Sequence, residues 1–180
     1  MTRSSFPASG LRSALLGLGL ALGATLFSAQ AQARAGGIAA SGCSGCHTGG
    51  PKGTLSMTAS PATFAPGARV ELTLSLMGGF TDGGVYITTA DIGDLQAIAN
   101  QGLTEVSSGM VHNQPKPGSA GTVQFRFAWV APAKPGAVRF SVYALGGNSN
   151  GRSSGDTALE NTFDFVYGCT GSTFYLDGDG

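Results

Sequence analysis

The strongest constraint on the fold is a strict alternation of apolar and polar side chains in the second half of the chain. From Gly121 to Val130, positions 123, 125, 127 and 129 are apolar, while Gln124 and Arg126 lie between them. Alternation with a period of two is the signature of a strand that buries one face. Positions 138 to 144 repeat the pattern after a proline-rich turn at 131–136. These runs predict two long β-strands.

Further alternating runs, separated by Gly, Pro and Ser, predict more strands. No helix is predicted after residue 35. Roughly seven short strands with one apolar face each predict an all-β fold, a two-layer antiparallel β-sandwich. The additional runs are Leu55–Ala59, Val70–Leu76, Gly84–Asp91 and Phe163–Tyr167, with less regular ones at Leu95–Ile98 and Thr104–Val111. The predicted core contains Leu72, Leu74, Phe125, Phe127, Trp129, Phe140 and Val142.

Residues 1–35 have the pattern of a secretory signal peptide. Arg3 and Arg12 precede or flank an apolar run at 14–27, and small residues then alternate up to Ala35, which offers A-x-A cleavage sites. The apolar run is shorter than the roughly twenty residues that span a bilayer. We therefore expect an exported protein, periplasmic, on the outer surface or extracellular, with no membrane span after cleavage.

The charge pattern argues against nucleic-acid binding. The chain has 10 basic and 10 acidic residues, and three of the basic residues, Arg3, Arg12 and Arg34, lie in the predicted signal peptide. The remaining part is therefore acidic and has no cluster of Lys and Arg that could neutralise phosphates. No Ser-His-Asp set, carboxylate pair or phosphate-binding loop is evident, so we expect no enzymatic activity.

The segment Cys43-Ser44-Gly45-Cys46-His47 has the residue types and spacing of a c-type haem attachment site. Two thiols separated by two residues can form thioethers to one porphyrin, and the adjacent imidazole is then the proximal iron ligand. Export favours this chemistry, and equally favours a disulfide. The alternatives are a Cys43–Cys46 disulfide or dithiol, and half of a zinc site, for which few partners remain.

The second axial ligand of such an iron is predicted to be His112, because it is the chain's other histidine. Met57, Met77 and Met110 are the alternatives, and Met110 lies two residues from His112. A third interpretation is that His112 is an exposed loop histidine with no special role.

Three other sequence features bear on the function. Cys169 is the odd cysteine, and the sequence leaves its pairing open. Asp177-Gly178-Asp179-Gly180 resembles the start of a calcium-binding loop, but two carboxylates are too few ligands for a site. The polar segment 147–156 is predicted to be an elaborate turn, with a binding role as the alternative.

Together these stretches resemble bacterial surface proteins with a reelin-like β-sandwich, often called choice-of-anchor proteins. The likeness covers residues 39–167 and rests on the sequences Cys43–His47, Phe64–Gly67, Val111–His112, Phe127–Pro132 and Gly147–Asp156. The resemblance implies an immunoglobulin-like or reelin-like sandwich, haem attachment at Cys43 and Cys46, ligation at His47 and a recurrent histidine at His112.

The sequence therefore predicts four segments: a signal peptide at 1–35, a haem-attachment arm at 36–53, a β-sandwich at 54–168 and a tail at 169–180. The predicted function is a cytochrome-like protein with one covalent haem, engaged in electron transfer with an unknown redox partner or in a surface assembly. The alternative is a structural or adhesive β-sandwich in which Cys43 and Cys46 form a disulfide and no haem is bound. Self-association is a further expectation.

Overall fold

The computed structural model describes residues 36–168, which form two β-sheets packed face to face. One 3-10 turn, Cys43–Gly45, precedes the strands. The strands are β1 (Thr48–Gly49), β2 (Thr54–Ser60), β3 (Arg69–Met77), β4 (Asp82–Thr88), β5 (Asp94–Ala97), β6 (Leu103–Val106), β7 (Gly109–His112), β8 (Lys116–Pro117), β9 (Thr122–Val130), β10 (Gly136–Gly147) and β11 (Ser154–Tyr167).

The larger sheet has the order β1-β11-β10-β4-β7-β6, with β8 added alongside β4. The smaller sheet has the order β2-β3-β9-β5. Every pairing is antiparallel except that of β1 with β11, which is parallel and joins Thr48 to Ser154. The prediction of an all-β antiparallel sandwich is confirmed.

The core between the sheets consists of the alternating apolar residues that the sequence predicted. Each predicted core residue is at most 1% exposed. Trp129 packs edge-on against Phe140, with ring centroids 5.7 Å apart, and its indole N–H donates to the carbonyl of Ile92 at 2.9 Å. The aromatic ring is thus buried without leaving its donor unsatisfied.

The structure differs from the prediction at the sheet edges. The run predicted at 104–111 is a hairpin of β6 and β7, turning at Ser107 and Ser108. The last strand begins at Ser154, nine residues before the predicted start at Phe163. Residues 154–162 lie at the margin of the sheet, and the one buried residue among them, Asp156, is polar, so this stretch has no alternating apolar side chains.

Within residues 36–168, no helix is long and apolar enough to cross a membrane.

Candidate functional site

The N-terminal arm, residues 36–50, is fixed to the larger sheet at two places. At its start, the N–H of Gly37 donates to the carbonyl of His112 in β7 at 2.6 Å. At its end, Thr48 and Gly50 donate to the carbonyls of Ser153 and Asp156, at 3.1 and 3.0 Å. Because β10 and β4 lie between β11 and β7, the arm reaches across the sheet from one side to the other.

Gly37 permits the close approach of the arm to β7. A Cβ atom built on Gly37 would lie 2.5 Å from the carbonyl oxygen of His112 and 2.6 Å from the Cβ of Val111. No side chain fits in that space without displacing backbone. The arm can therefore contact β7 only because residue 37 is a glycine, and the sequence alone did not indicate this role.

The two cysteines lie on a tight turn in the middle of the arm. The N–H groups of Cys46 and His47 both donate to the carbonyl of Cys43, at 3.3 and 3.1 Å. The turn contacts β10 and β11. Cys43 is half-buried, whereas Cys46 is exposed, and the structure shows no bond between their sulfur atoms. Burial raises the pKa of the Cys43 thiol, and the carboxylate of Glu160 raises it further.

His47 anchors the turn through a nearly buried carboxylate. Its Nδ1 lies 2.9 Å from Oδ2 of Asp156, and the two side chains are 25% and 7% exposed. The other oxygen, Oδ1, accepts the N–H of Asn148 at 3.2 Å. Both carboxylate oxygens of Asp156 therefore have partners, one from the arm and one from the loop that precedes β11.

A polar network continues from this carboxylate into the loop at residues 148–153. Asn148 and Asn150 accept backbone N–H groups two residues further on, at 3.1 and 2.7 Å, as expected for Asx turns. Ser149 donates to Asp82 at 2.7 Å and lies 2.9 Å from the hydroxyl of Thr81. The sequence indicated the turn; it did not single out Asp156, whose burial is a product of the tertiary fold.

His112 lies on β7, away from the cysteine turn. Its Nδ1 lies 2.9 Å from the N–H of Val85 and 3.2 Å from the carbonyl oxygen of the same residue, so the tautomer of the ring decides whether that nitrogen accepts or donates. The ring lies against Gly84, where a Cβ would be 2.5 Å from the imidazole. Burial lowers the pKa of His112, because the charged form would be poorly solvated. The ring is thus hydrogen-bonded to the backbone of β4 inside the sheet, unlike an exposed loop histidine.

Met110, the alternative ligand, is fully buried and faces Ile87 in the core. Met57 lies on the edge strand β2, and Met77 ends β3. The tail with Cys169 and the predicted calcium loop lies outside the described residues.

The interpretation of the chain as a haem-bearing, electron-transferring cytochrome is contradicted. Across residues 36–168, no group of three or more His, Cys, Asp or Glu side chains could hold a metal ion. Asp156, the partner of His47, lies on β11, and His112 lies on β7. These two strands are three strand spacings, about 14 Å, apart. Two axial imidazoles must both lie about 2 Å from one metal. The histidines are instead engaged with Asp156 and Val85.

Comparisons with known proteins give structural neighbours alone: no family model and no curated protein matches the chain. The Reelin-N domain of F-spondin is 15% identical, with a TM-score of 0.44, and the match covers 63% of this chain and 89% of that one. The human F-spondin reeler domain is 18% identical, with a TM-score of 0.38, over 54% and 78% of the two chains.

A third neighbour comes from a study of fibronectin binding and biofilm formation by the AAF fimbriae of enteroaggregative Escherichia coli. It is 16% identical, with a TM-score of 0.37, and the match covers 64% of this chain and 98% of that one. At these scores the likeness extends to the general fold and carries no functional argument.

Proposed function

We propose that this chain is a structural or adhesive module of an exported or cell-surface protein, a β-sandwich whose N-terminal arm is locked across one face by a Cys43–Cys46 disulfide. The observation that supports this proposal most directly is the contact between His47 and Asp156. It uses a nearly buried carboxylate to hold the arm, and the two cysteines lie directly before the histidine.

The geometry of the cysteine turn favours a disulfide. The chain between Cys43 and Cys46 is already turned back by the hydrogen bonds to the Cys43 carbonyl. In an oxidising compartment such a pair of thiols forms and keeps a disulfide. A loop this short stabilises the folded chain by about 2 kcal/mol through the entropy of the unfolded state. The cross-link would keep the backbone of the turn in the conformation that presents His47 to Asp156.

The decisive experiment is a mass measurement on the protein exported to a bacterial periplasm and alkylated before and after reduction. We expect a Cys43–Cys46 disulfide in the peptide map, and no absorption band of a bound porphyrin. A covalent haem on the same peptide, or free thiols at both positions, would overturn the proposal.

Hydrogen exchange then tests what the disulfide does. In the variant Cys43→Ser/Cys46→Ser, the amides of Gly37, Thr48 and Gly50 should exchange faster than in the parent protein, while the sandwich core keeps its protection. Ser44→Ala, in the same turn, is the matched control. It should change neither the exchange of the arm amides nor the protection of the core. Equal protection of the arm in all three proteins would show that the cross-link does not lock it.

A further inference from the structure

One side of the sandwich ends in two strands with unpaired edges. Beyond Asp156, no described strand pairs with the outer edge of β11, which leaves residues 158–166 free over about 30 Å. In the smaller sheet, β2 pairs with β3 and with no other strand of the described chain. The two edge strands contact each other across the layers, so both free edges lie on the same side of the molecule.

The opposite side is protected. There β5 and β6 are only four residues long, and the N–H of Ala97 in β5 donates to the carboxylate of Glu105 in β6 at 2.7 Å. Short edges that are covered by side chains are a common way to prevent strand addition. On the other side, β2 and β11 are longer, 7 and 14 residues, and within the described residues the side-chain cover of the free part of β11 is limited to the N–H of Thr162, which donates to Oδ1 of Asn161 at 2.9 Å.

The unprotected side also has an apolar rim. Phe163 and Phe165 of β11, and Leu55 and Met57 of β2, are only partly buried against the core. Val166, at the end of β11, is 43% exposed. Partly exposed apolar side chains beside free N–H and C=O groups are the features that strand addition uses.

We infer that this side is the interface of a symmetric dimer, in which β11 pairs antiparallel with β11 of a second copy and β2 with its own counterpart. A partner that satisfies both edges must itself present two free edges, one in each layer, at the same separation. A second copy does so, and a single two-fold axis running through both layers generates both pairings.

The side chains of β11 are compatible with this symmetry. When the axis passes Asn161, Glu160 lies opposite Thr162 of the other copy, and Ala158 lies opposite Asp164. No carboxylate then faces another. On the inner side, Leu159 of each copy lies opposite Phe163 of the other copy. These two pairs extend the core across the axis. Strand β2 has the sequence TLSMTAS and carries no charge that would oppose pairing with itself.

Sedimentation equilibrium of the exported protein tests the inference. We expect a dimer at micromolar concentrations. Asn161→Lys places two like charges directly opposite each other, and should weaken the dimer by about two- to fivefold. Thr104→Lys, on the exposed part of β6 at the opposite side, is the matched control and should leave the dimer unchanged. A native protein that stays monomeric, or a dimer weakened by Thr104→Lys and not by Asn161→Lys, overturns the inference.

A cross-link gives a second readout in case Asn161→Lys affects folding. In Asn161→Cys, mild oxidation should produce a covalent dimer whose bridge joins residue 161 to residue 161, located by peptide mapping. Thr104→Cys should give no such product. Monomeric protein in which the amides of 158–166 are nevertheless protected from exchange would mean that another part of the chain covers this edge, and the dimer would be rejected.

Discussion

Asp156 offers the sharpest test of how the arm is held. Its carboxylate accepts a hydrogen bond from the imidazole of His47 at 2.9 Å and another from the N–H of Asn148 at 3.2 Å. Its side chain is 7% exposed. Asp156→Ala removes both acceptors. A hydrogen bond to a charged group is worth about 1.5–3 kcal/mol. His47 is partly exposed and can turn toward water, so the contribution of its hydrogen bond to the free energy of unfolding lies at the low end of this range. We expect a loss of about 2–4 kcal/mol in the free energy of unfolding.

The matched control is Asp164→Ala. Asp164 also makes two short bonds, both at 2.8 Å and both to Arg139, but its side chain is 42% exposed. An exposed ion pair of this kind contributes about 0–1 kcal/mol. Urea unfolding followed by tryptophan fluorescence measures both variants, because Trp129 is the single tryptophan of the chain. If Asp164→Ala costs as much as Asp156→Ala, burial does not set the strength of the anchor and the reasoning fails.

Three further predictions use unfolding and exchange measurements. Trp129→Ala should destabilise the fold by about 3–5 kcal/mol, because a fully buried ring leaves a cavity; urea unfolding of this variant is followed by circular dichroism, since it has no tryptophan, and an unchanged midpoint would contradict the assigned core. The lowered pKa of His112 means that the unfolded chain binds a proton more readily than the folded one, so stability should fall as the pH drops below about 6.5. In His112→Gln that part of the slope should be absent, and an identical slope would assign it to other groups. Gly37→Val should free the start of the arm, seen as faster exchange of the residue-37 amide, because the side chain would clash with Val111; retained protection would show that the strand can move aside.

The sequence predicted the sandwich because its central strands have one buried face and one exposed face. Val123 to Phe127 and Val138 to Ala144 alternate strictly and are buried on one side. The early part of β11 was missed because it lies at a margin, where the two faces are similarly exposed. Alternation reports on burial, so it cannot detect strands that are held mainly by backbone hydrogen bonds.

The arm shows the other limit of sequence analysis. The spacing of Cys43 and Cys46 favours haem attachment over a disulfide when the motif is taken alone, and the structure places the two cysteines on one turn. The residue that holds the turn, Asp156, is 109 positions away from His47. Within a polar loop it looks like any other turn residue, and only the fold brings it under the arm and buries it.

The parallel pairing of β1 with β11 has a consequence for the order of folding. Thr48 and Ser154 belong to nearly opposite ends of the described chain, and closing so long a loop gains little until the strands between them are in place. Strand β1 pairs with β11, and β11 in turn is held in place by its pairing with β10. The arm should therefore dock last, after the sandwich has formed. The chain would then pass through a folded state in which Cys43 and Cys46 are still accessible to other molecules, among them the oxidising enzymes of the compartment if the protein is exported as proposed.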